Sequence, residues 1–538
     1  MVKKFVYGTP FETEAVVKEI PSSEGNPDYG TFSTENGFSF TTKLADDDMV
    51  FGLGEANRGI NKRGFLYISD CADDPNHVES KTSLYAAHNF IIISGKTHVG
   101  FFFDYPGTLR FDIGYTTSDT MTVSCENADL YVYMITGDSD LDIVKQFRGI
   151  IGRSYIAPKF AFGYGQSRWG YKTEDDFRTV VKKYRENHVP LDMVYMDIDY
   201  MQDYKDFTVN EERFPDFEGF VQDMKKEKIH LVPIIDAGVK VEEGYDIYEE
   251  GCEKGYFCRR EDGSYFEATV WPGWTHFPDV LNADARKWFG DKYDVLVSKG
   301  IDAFWLDNSE PDFGVYDFDH YRYIDGPALS CSNIYPQLYS RVFYDGMKAE
   351  GEENIVNLLR CAWAGSQKYG NVVWSGDVPS TFEAFYDQLQ AGLNMGLAGI
   401  PWWTTDIGGF MTDDVNDPDF QQLLIRWYEF AVYSAVFRMH GDRGPHNIPT
   451  LDDRDFGGGY LYTGQSNELW SYGEENYRIM KKYYDIRISM HDYIKQLYDE
   501  ASENGSPLIR TMFYEFPDDK KCWEPVSYTH LTLPTIRL

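Results

Sequence analysis

Residues 300–311 read Gly-Ile-Asp-Ala-Phe-Trp-Leu-Asp-Asn-Ser-Glu-Pro, an apolar run that ends in acidic side chains. Residues 304–306 have the pattern of a buried strand, and Asp307 and Glu310 follow it directly. An isolated carboxylate after a strand is usually the N-cap of a helix. If the same pattern of an apolar run followed by a carboxylate recurs along the chain, a pocket at one end of a barrel becomes the better interpretation.

The pattern does recur, each time with an aspartate after an apolar run. The further segments are Met196-Asp197-Ile198-Asp199, Ile234-Ile235-Asp236, Val372-Val373-Trp374-Ser375-Gly376-Asp377 and Trp403-Thr404-Thr405-Asp406. Apolar runs alternate with helical stretches near 160–166, 193–199, 230–237, 303–307, 355–360, 372–377, 399–406 and 435–441. This alternation predicts a (β/α)8 barrel with its active site at the carboxyl ends of the strands.

A doubly wound sheet is the rival fold. That fold favours a glycine-rich phosphate loop after its first strand. Residues 162–169 read Phe-Gly-Tyr-Gly-Gln-Ser-Arg-Trp and do not supply one. The Gly-Leu-Gly-Glu segment at 52–55 is not a phosphate loop either, because no Gly-Lys-Ser/Thr follows it.

The chain divides into regions of different pattern. Residues 1–145 carry many short alternating runs, which predict an N-terminal β-sandwich. The barrel is predicted over 146–500, with a last helix from 476 to 503. Residues 501–525 then begin a truncated C-terminal β domain, with a strand at 507–513. Residues 526–538 fit no periodic pattern and are interpreted as a non-native tail.

Composition and charge exclude several classes of protein. The 538 residues include 51 basic and 87 acidic side chains, a net charge of −36, which disfavours binding to nucleic acid. Aromatic residues make up 17% of the chain and suit stacking on sugar faces. The sequence contains no stretch of about 20 apolar residues, so it predicts no membrane span. The sequence does not decide between a monomer and a homo-oligomer.

Cysteine usage and the N-terminus indicate the compartment. The seven cysteines are scattered without a Cys-x-x-Cys pair, so neither a zinc site nor a disulfide framework is predicted. Scattered free cysteines are typical of a reducing environment. The first ten residues lack the apolar region of a signal peptide. We therefore expect a cytoplasmic protein.

A barrel with paired carboxylates and surplus aromatic residues indicates glycoside hydrolysis. In that chemistry one carboxyl group attacks or activates water while the other protonates the leaving oxygen. Asp307 and Asp377 are the natural pair, since both follow predicted strands. Both could instead cap the helices that follow. These segments alone leave the two interpretations open.

A family resemblance adds to this reading. Residues 1–525 resemble glycoside hydrolase family 31, which contains α-glucosidases and α-xylosidases. The resemblance is carried by Phe51-Gly52-Leu53-Gly54-Glu55, Gly165-Gln166-Ser167-Arg168-Trp169, Met196-Asp197-Ile198-Asp199-Tyr200-Met201, Phe207-Thr208, Phe214-Pro215, Trp305-Leu306-Asp307, Trp374-Ser375-Gly376-Asp377, Asp406-Ile407-Gly408-Gly409-Phe410 and Arg438-Met439-His440-Gly441.

The resemblance implies a retaining enzyme that needs neither a metal nor a cofactor. It makes Asp307 the nucleophile and Asp377 the acid/base. The implied substrate is a short oligosaccharide, from whose non-reducing end an exo-α-glucosidase removes glucose. An α-xylosidase and an inactive carbohydrate-binding remnant are the alternatives.

Further residues are candidates for substrate binding: Asp73, Trp169, Asp197, Ile198, Asp236, Trp271, Arg360, Trp374, Asp406 and His440. Each also has a structural alternative. Arg360 could sit in a buried ion pair, Asp73 in a solvated turn and His440 in the core. The tryptophans, with Trp403 among them, could be core residues and not an apolar wall of the pocket.

The resemblance is not uniform along the chain. Up to about Gly300 it is nearer to bacterial α-glucosidases, and from Trp305 onward it is nearer to the α-xylosidase type. We therefore keep the interpretation of a chimera, whose sugar subsite would mix determinants of two enzymes. The family continues past the barrel with two β-sandwich domains, of which only the beginning is expected here.

Overall fold

The N-terminal part of the chain forms two five-stranded antiparallel sheets. The computed structural model describes residues 1–270, 272–310, 321–446, 448–449 and 462–523. Strands β1 to β10 are, in chain order, Val2–Tyr7, Thr31–Ser33, Phe38–Lys43, Met49–Gly52, Phe65–Ser69, Phe90–Ser94, His98–Asp104, Leu109–Ile113, Thr120–Cys125 and Leu130–Gly137. One sheet has the order β1-β10-β7-β6-β4 and the other β2-β3-β9-β8-β5.

Alternating burial packs these sheets face to face. In β3, Phe38 and Phe40 are buried while Ser39 between them is partly exposed. The ring of Phe40 lies 4.7 Å from that of Phe101 on β7, in the other sheet. Aromatic rings from both sheets thus fill the space between them. The predicted N-terminal sandwich is confirmed.

Helix α1, Asp140–Ile151, connects the sandwich to the next domain. The Ser139 side chain caps it by accepting from the backbone N–H of Asp142. Phe147 stacks on Phe90 of the sandwich at 3.9 Å, and Arg148 donates to the carbonyl of Gly399 at 2.8 Å. The predicted connector therefore contacts both domains.

Eight parallel strands form the predicted barrel. They are β11 to β18: Tyr164–Gln166, Met193–Met196, His230–Asp236, Ala303–Asp307, Val356–Leu359, Asn371–Trp374, Trp403–Thr404 and Phe437–Met439. Strands β11 to β17 each pair with their neighbours in sequence, and the first strand, β11, also pairs with the last, β18. The rival doubly wound sheet is therefore wrong. Between β17 and β18, the Thr404 hydroxyl donates to the carbonyl of Val436 at 2.7 Å.

The main helices of the barrel, α2 to α10, are Glu174–Glu186, Phe217–Lys226, Asp246–Lys254, Ala283–Asp291, Tyr335–Ala349, Phe382–Leu397, Pro418–Ala431, Glu474–Ser489 and His491–Asn504. In α2, Thr173 and Asp176 form a capping box, and Phe177, Val180, Val181 and Tyr184 make the buried face. Among the described helices, none has both the length and the apolar content that crossing a membrane requires.

Two expectations for the C-terminal part are wrong. The helix predicted from 476 to 503 is two helices, because the chain turns at Met490. The turn lets Tyr498 of α10 stack on Trp402 at 4.0 Å. The strand predicted at 507–513 is absent from the described residues, and Met512–Glu515 is a short helix instead. No strand of the described part of the chain pairs with this segment, and its backbone bonds locally, as from Phe516 N–H to the carbonyl of Met512.

Candidate active site

Polar side chains line the carboxyl edge of the barrel. Asp236 ends β13 and Asp307 ends β14, and the two are paired in register. Residues that end or follow strands at this edge are Asp197, Asp236, Asp307, Arg360, Asp377, Asp406 and His440. Because parallel strands bring their carboxyl ends to one edge, these side chains share one end of the barrel.

Arg360 is the centre of the site. Its guanidinium lies 3.1 Å from Asp307 Oδ1, 3.4 Å from Asp377 Oδ2 and 3.0 Å from Asp73 Oδ2. It also donates to both carboxylate oxygens of Glu310 and, at 2.7 Å, to Asn308 Oδ1. The two carboxyl groups predicted to be catalytic therefore meet on one buried cation. The alternative of a buried ion pair holds as well, since Arg360 takes part in several.

Asp307 is held in a nearly buried position, with 10% of its side chain exposed. Burial raises its pKa, while the charge of Arg360 and a hydrogen bond from the Asn308 backbone oppose that rise. Asn308 has a positive φ of 48°. Its side-chain amide donates to Asp236 Oδ1 at 3.1 Å, which ties the ends of β13 and β14 together.

Asp377 is more accessible, with 24% of its side chain exposed. It follows Gly376, whose φ of +71° makes a left-handed turn that glycine adopts without strain. Burial raises the pKa of Asp377 well above its usual value; Arg360 opposes this and Asp307 adds to it. This shift favours the protonated form, which is the form that a general acid needs.

Asp236 and Glu310 belong to the same acidic cluster. Burial raises the pKa of each to about 8, with Arg360 acting in the opposite direction. The Asp236 backbone N–H donates to Asp206 Oδ1 at 3.0 Å. Glu310 was noted in the sequence only as part of its segment, and its pairing with Arg360 was not predicted.

A second cation, Arg438 of β18, was missed as a site residue. It donates to Asp406 Oδ1 at 2.6 Å, and burial raises the pKa of Asp406 to about 6. Its guanidinium lies over the rings of Tyr195 and Trp305, at 4.7 and 4.6 Å. Arg438 precedes His440 by two residues in the segment that carried the family resemblance, and this spacing could have indicated a shared strand face.

His440 is buried and neutral. Burial lowers its pKa well below the usual value, and the charges of Arg438 and Arg443 lower it further. Its Nδ1 lies 2.7 Å from Ser167 Oγ, and its ring meets Trp305 edge-on at 4.9 Å. The imidazole is thus fixed in place at the edge of the barrel.

The other candidates from the barrel occupy different positions. Asp197 caps the short 3-10 helix Ile198–Tyr200 by accepting from Ile198 N–H at 2.8 Å. Burial raises the pKa of Asp197 well above its usual value, and the nearby charges of Asp199 and Asp307 raise it further. Trp374 ends β16 and is fully buried, with its ring 5.8 Å from that of Trp305.

Two of the tryptophans expected to form an apolar wall, Trp169 and Trp403, have different surroundings. Trp169 is buried, with its ring 6.3 Å from that of His446. Trp403 donates to Glu55 of the N-terminal domain at 2.7 Å, so it is a core residue at the domain interface. Trp271 lies outside the described residues.

The N-terminal domain reaches the site through Asp73, whose side chain is 34% exposed. Its contact with Arg360 shows that it is no simple solvated turn. Among the described residues, no group of three His, Cys, Asp or Glu side chains is arranged to hold a metal ion. The arrangement places two carboxyl groups, Asp307 and Asp377, side by side on a shared arginine.

The chain belongs to glycosyl hydrolase family 31. The TIM-barrel domain of this family matches residues 154–497. The galactose mutarotase-like domain that precedes it in the family matches residues 11–112. Family membership agrees with the sandwich, the barrel and the strand-end carboxyl groups described above.

Relatives carry several names. The chain is 32% identical over 499 residues to α-glucosidase 2 of Bacillus thermoamyloliquefaciens, covering 89% of this chain and 59% of that protein. It is 40% identical over 315 residues to an uncharacterized family 31 glucosidase of Pseudescherichia vulneris, covering 58% and 59%. The chain thus matches 59% of the length of each.

A solved structure is similar over most of the chain. The α-xylosidase from a soil metagenome, in complex with xylose, is 34% identical with a TM-score of 0.83. The match covers 93% of this chain and 72% of that one.

Proposed function

We propose that the protein is a retaining exo-α-glucosidase that removes α-linked glucose from the non-reducing ends of short oligosaccharides. The observation that carries this proposal is the meeting of Asp307 and Asp377 on the guanidinium of Arg360. Retaining glycosidases use two carboxyl groups roughly 5–5.5 Å apart. Family membership and the names of the relatives support the same chemistry.

The reaction has two displacements. First, Asp307 Oδ attacks the anomeric carbon, the bond to the leaving oxygen breaks, and that oxygen takes the proton of Asp377. A covalent β-glycosyl ester on Asp307 results. Second, Asp377, now a carboxylate, removes a proton from water while the water oxygen attacks the same carbon and the ester bond breaks. The product keeps the α configuration, and both side chains return to their first state.

The roles follow from the surroundings of each group. Asp307 is the more buried; burial raises its pKa, while Arg360 and a backbone N–H oppose this and favour the charged form that a nucleophile requires. Asp377 is the more exposed, and burial raises its pKa well above the usual value, which favours the protonated form of an acid. An exposed acid suits protonation of a leaving group that departs toward solvent.

The other polar side chains at the carboxyl edge of the barrel would bind the hydroxyl groups of the sugar. Asp406 Oδ2 and two guanidinium nitrogens of Arg438 have no hydrogen-bond partner among the described residues. We assign substrate binding to these groups and to Asp73, Trp169, Asp197, Ile198, Asp236, Arg360, Trp374 and His440. Trp271 stays a prediction from the sequence, as do the domain boundaries at 145 and 500 and the cytoplasmic location, and a homo-oligomer stays one of two open possibilities.

An α-xylosidase is the second candidate, favoured by the 34% identity to the soil metagenome α-xylosidase. Both enzymes would use Asp307 and Asp377 in the same way and differ only in the sugar accepted. A remnant that binds saccharide without cleaving it is the third.

One experiment tests all three. The purified chain is incubated with p-nitrophenyl α-glucoside or α-xyloside, the first sugar anomer is identified by NMR, and a melting curve verifies folding. Release of α-glucose first supports the proposal, and release of β-sugar contradicts retention. A folded chain that binds maltose without hydrolysing either substrate would be the remnant.

A further inference from the structure

Tyr85 of the N-terminal domain lies against the catalytic edge of the barrel. It falls between β5 and β6 and is fully buried. The guanidinium of Arg360 lies 4.8 Å from the centre of its ring. His77 is 5.3 Å from the ring, which places Tyr85 among other residues of its own domain as well.

The same ring packs onto the backbone of the residue before Asp377. A Cβ placed on Gly376 would lie 2.3 Å from Tyr85 Cε2, so no side chain fits between the ring and this turn. The Tyr85 hydroxyl accepts from the backbone N–H of Asp377 at 3.4 Å. One aromatic side chain thus contacts both the turn that carries Asp377 and the cation that Asp377 shares with Asp307.

We propose that Tyr85 is a positioning residue for the general acid, a role that rests on the function proposed above. The ring fixes the turn at Gly376 and the plane of Arg360, and the hydroxyl holds the Asp377 backbone. Burial raises the pKa of the Tyr85 hydroxyl well above its usual value, so the side chain stays neutral. Tyr85 therefore acts through the placement of Asp377 and not through a charge of its own.

A misplaced acid has a specific kinetic signature. When the leaving group is a second sugar, its glycosidic oxygen must be protonated as the bond breaks, whereas fluoride departs with little help from an acid. Loss of acid placement should therefore slow hydrolysis of maltose far more than hydrolysis of α-glucosyl fluoride. A general loss of stability would instead lower both rates together.

The test compares kcat/KM for these two substrates in Tyr85→Leu, Tyr85→Phe and Asp377→Ala. We expect Tyr85→Leu to lose roughly 10²-fold on maltose, as when a reacting group shifts by about 1 Å, with less than a tenth of that loss on the fluoride. Tyr85→Phe keeps the ring and should lose roughly 2- to 10-fold on maltose, the effect of one hydrogen bond. Tyr67→Leu, at a buried tyrosine of β5, is the matched control and should show no difference between substrates.

The outcomes separate this inference from the proposed function. If Asp377→Ala shows the signature and neither Tyr85 variant does, the inference is overturned and the function stands. If Asp377→Ala lacks the signature, or the unaltered protein hydrolyses neither substrate, the proposed function itself is contradicted. Should Tyr85→Leu fail to fold, Tyr85→Phe decides. Equal losses on maltose and on α-glucosyl fluoride in Tyr85→Phe would also overturn the inference.

Discussion

Two buried arginines stand at the same edge of the barrel with different surroundings. Arg360 lies against the carboxyl groups of Asp73, Asp307, Glu310 and Asp377. Arg438 has the single carboxyl partner Asp406 among the described residues, and aromatic rings cover its faces. Arg360 therefore has more carboxyl partners than one positive charge can balance, whereas Arg438 has one carboxyl partner among the described residues.

The two surroundings suit different tasks: proton transfer around Arg360 and sugar binding at Arg438. One guanidinium cannot balance four neighbouring carboxylates, so some of these groups retain protons, as the raised pKa of the buried Glu310 indicates. The cluster around Arg360 is therefore suited to giving and taking a proton. Arg438 leaves Nε and Nη2 without acceptors among the described residues, which suits them to donate to a hydroxyl-bearing ligand.

The largest test of the Arg360 cluster is Asp307→Ala. Loss of the nucleophile should lower kcat on the order of 10⁴-fold or more. The melting temperature should not fall, since the change removes one of several carboxyl groups that compete for Arg360. Asp302→Ala, at the other end of the same segment, is the control and should retain activity. Asp307→Ala activity above a few per cent, at unchanged melting temperature, would sink the assignment.

Asp377→Ala tests the member of the cluster to which we assign the role of general acid. We expect hydrolysis of maltose to fall roughly 10²- to 10⁴-fold, the usual contribution of general acid–base catalysis. Substrates with good leaving groups should lose much less. Azide should replace the activated water, attack the glycosyl ester and yield α-glucosyl azide, which NMR identifies. Formation of the β-azide, or of no azide product, would count against the assigned role.

Asp406→Asn tests the balanced pair through the pH dependence of stability. The native pKa of about 6 lies above the ordinary value of 3.8, so the native state binds more protons between these pH values. The contribution of Asp406 is full below pH 4 and is lost as the pH rises through 6.

Urea unfolding at pH 4 and pH 7 measures the effect. The free energy of unfolding should fall by about 2 kcal/mol more in the unaltered protein than in Asp406→Asn between these two pH values. Asp413→Asn, at an exposed aspartate nearby, should leave the pH dependence unchanged. An identical pH dependence in the Asp406→Asn variant would show that this carboxyl group does not titrate as described.

The smallest expected effect concerns sugar choice. We expect kcat/KM for p-nitrophenyl α-glucoside to exceed that for the α-xyloside by roughly 10- to 200-fold if an apolar pocket holds the hydroxymethyl group. A site that hydrogen-bonds this group should discriminate by roughly 10⁴-fold. If the ratio is near 10⁴, Arg438→Met should reduce it. If the ratio is only roughly 10 to 200, the same substitution should leave it unchanged. A ratio that favours the xyloside would reverse the order of the two enzymes proposed here.

Much of the fold could be predicted because its signals are local. Period-two and helical patterns identified the sandwich, the eight barrel strands and the edge that carries Asp307, Asp377 and Asp406. The break at Met490 escaped prediction because both sides of it are helical in pattern. The short helix at 512–515 escaped because strand propensity counts for little without a neighbouring strand.

The contacts within the site were harder to predict. Tyr85, Glu310 and Arg438 act through partners that lie far away along the chain. No periodicity encodes which carboxyl groups will share Arg360, since this depends on how the sandwich is placed on the barrel. The strand-end residues were therefore predicted one by one, while their arrangement around two arginines was not.

The contact of Asp73 and Tyr85 with Arg360 limits how this protein can be rebuilt. A designer who grafts the N-terminal domain of a relative at the α1 junction also replaces the two side chains that touch Arg360. Under the function proposed here, the sandwich belongs to the reaction centre and cannot be exchanged as an inert module. A barrel produced alone would expose the Arg360 cluster to water on the side that Tyr85 covers, and we expect it to lose activity even where it folds.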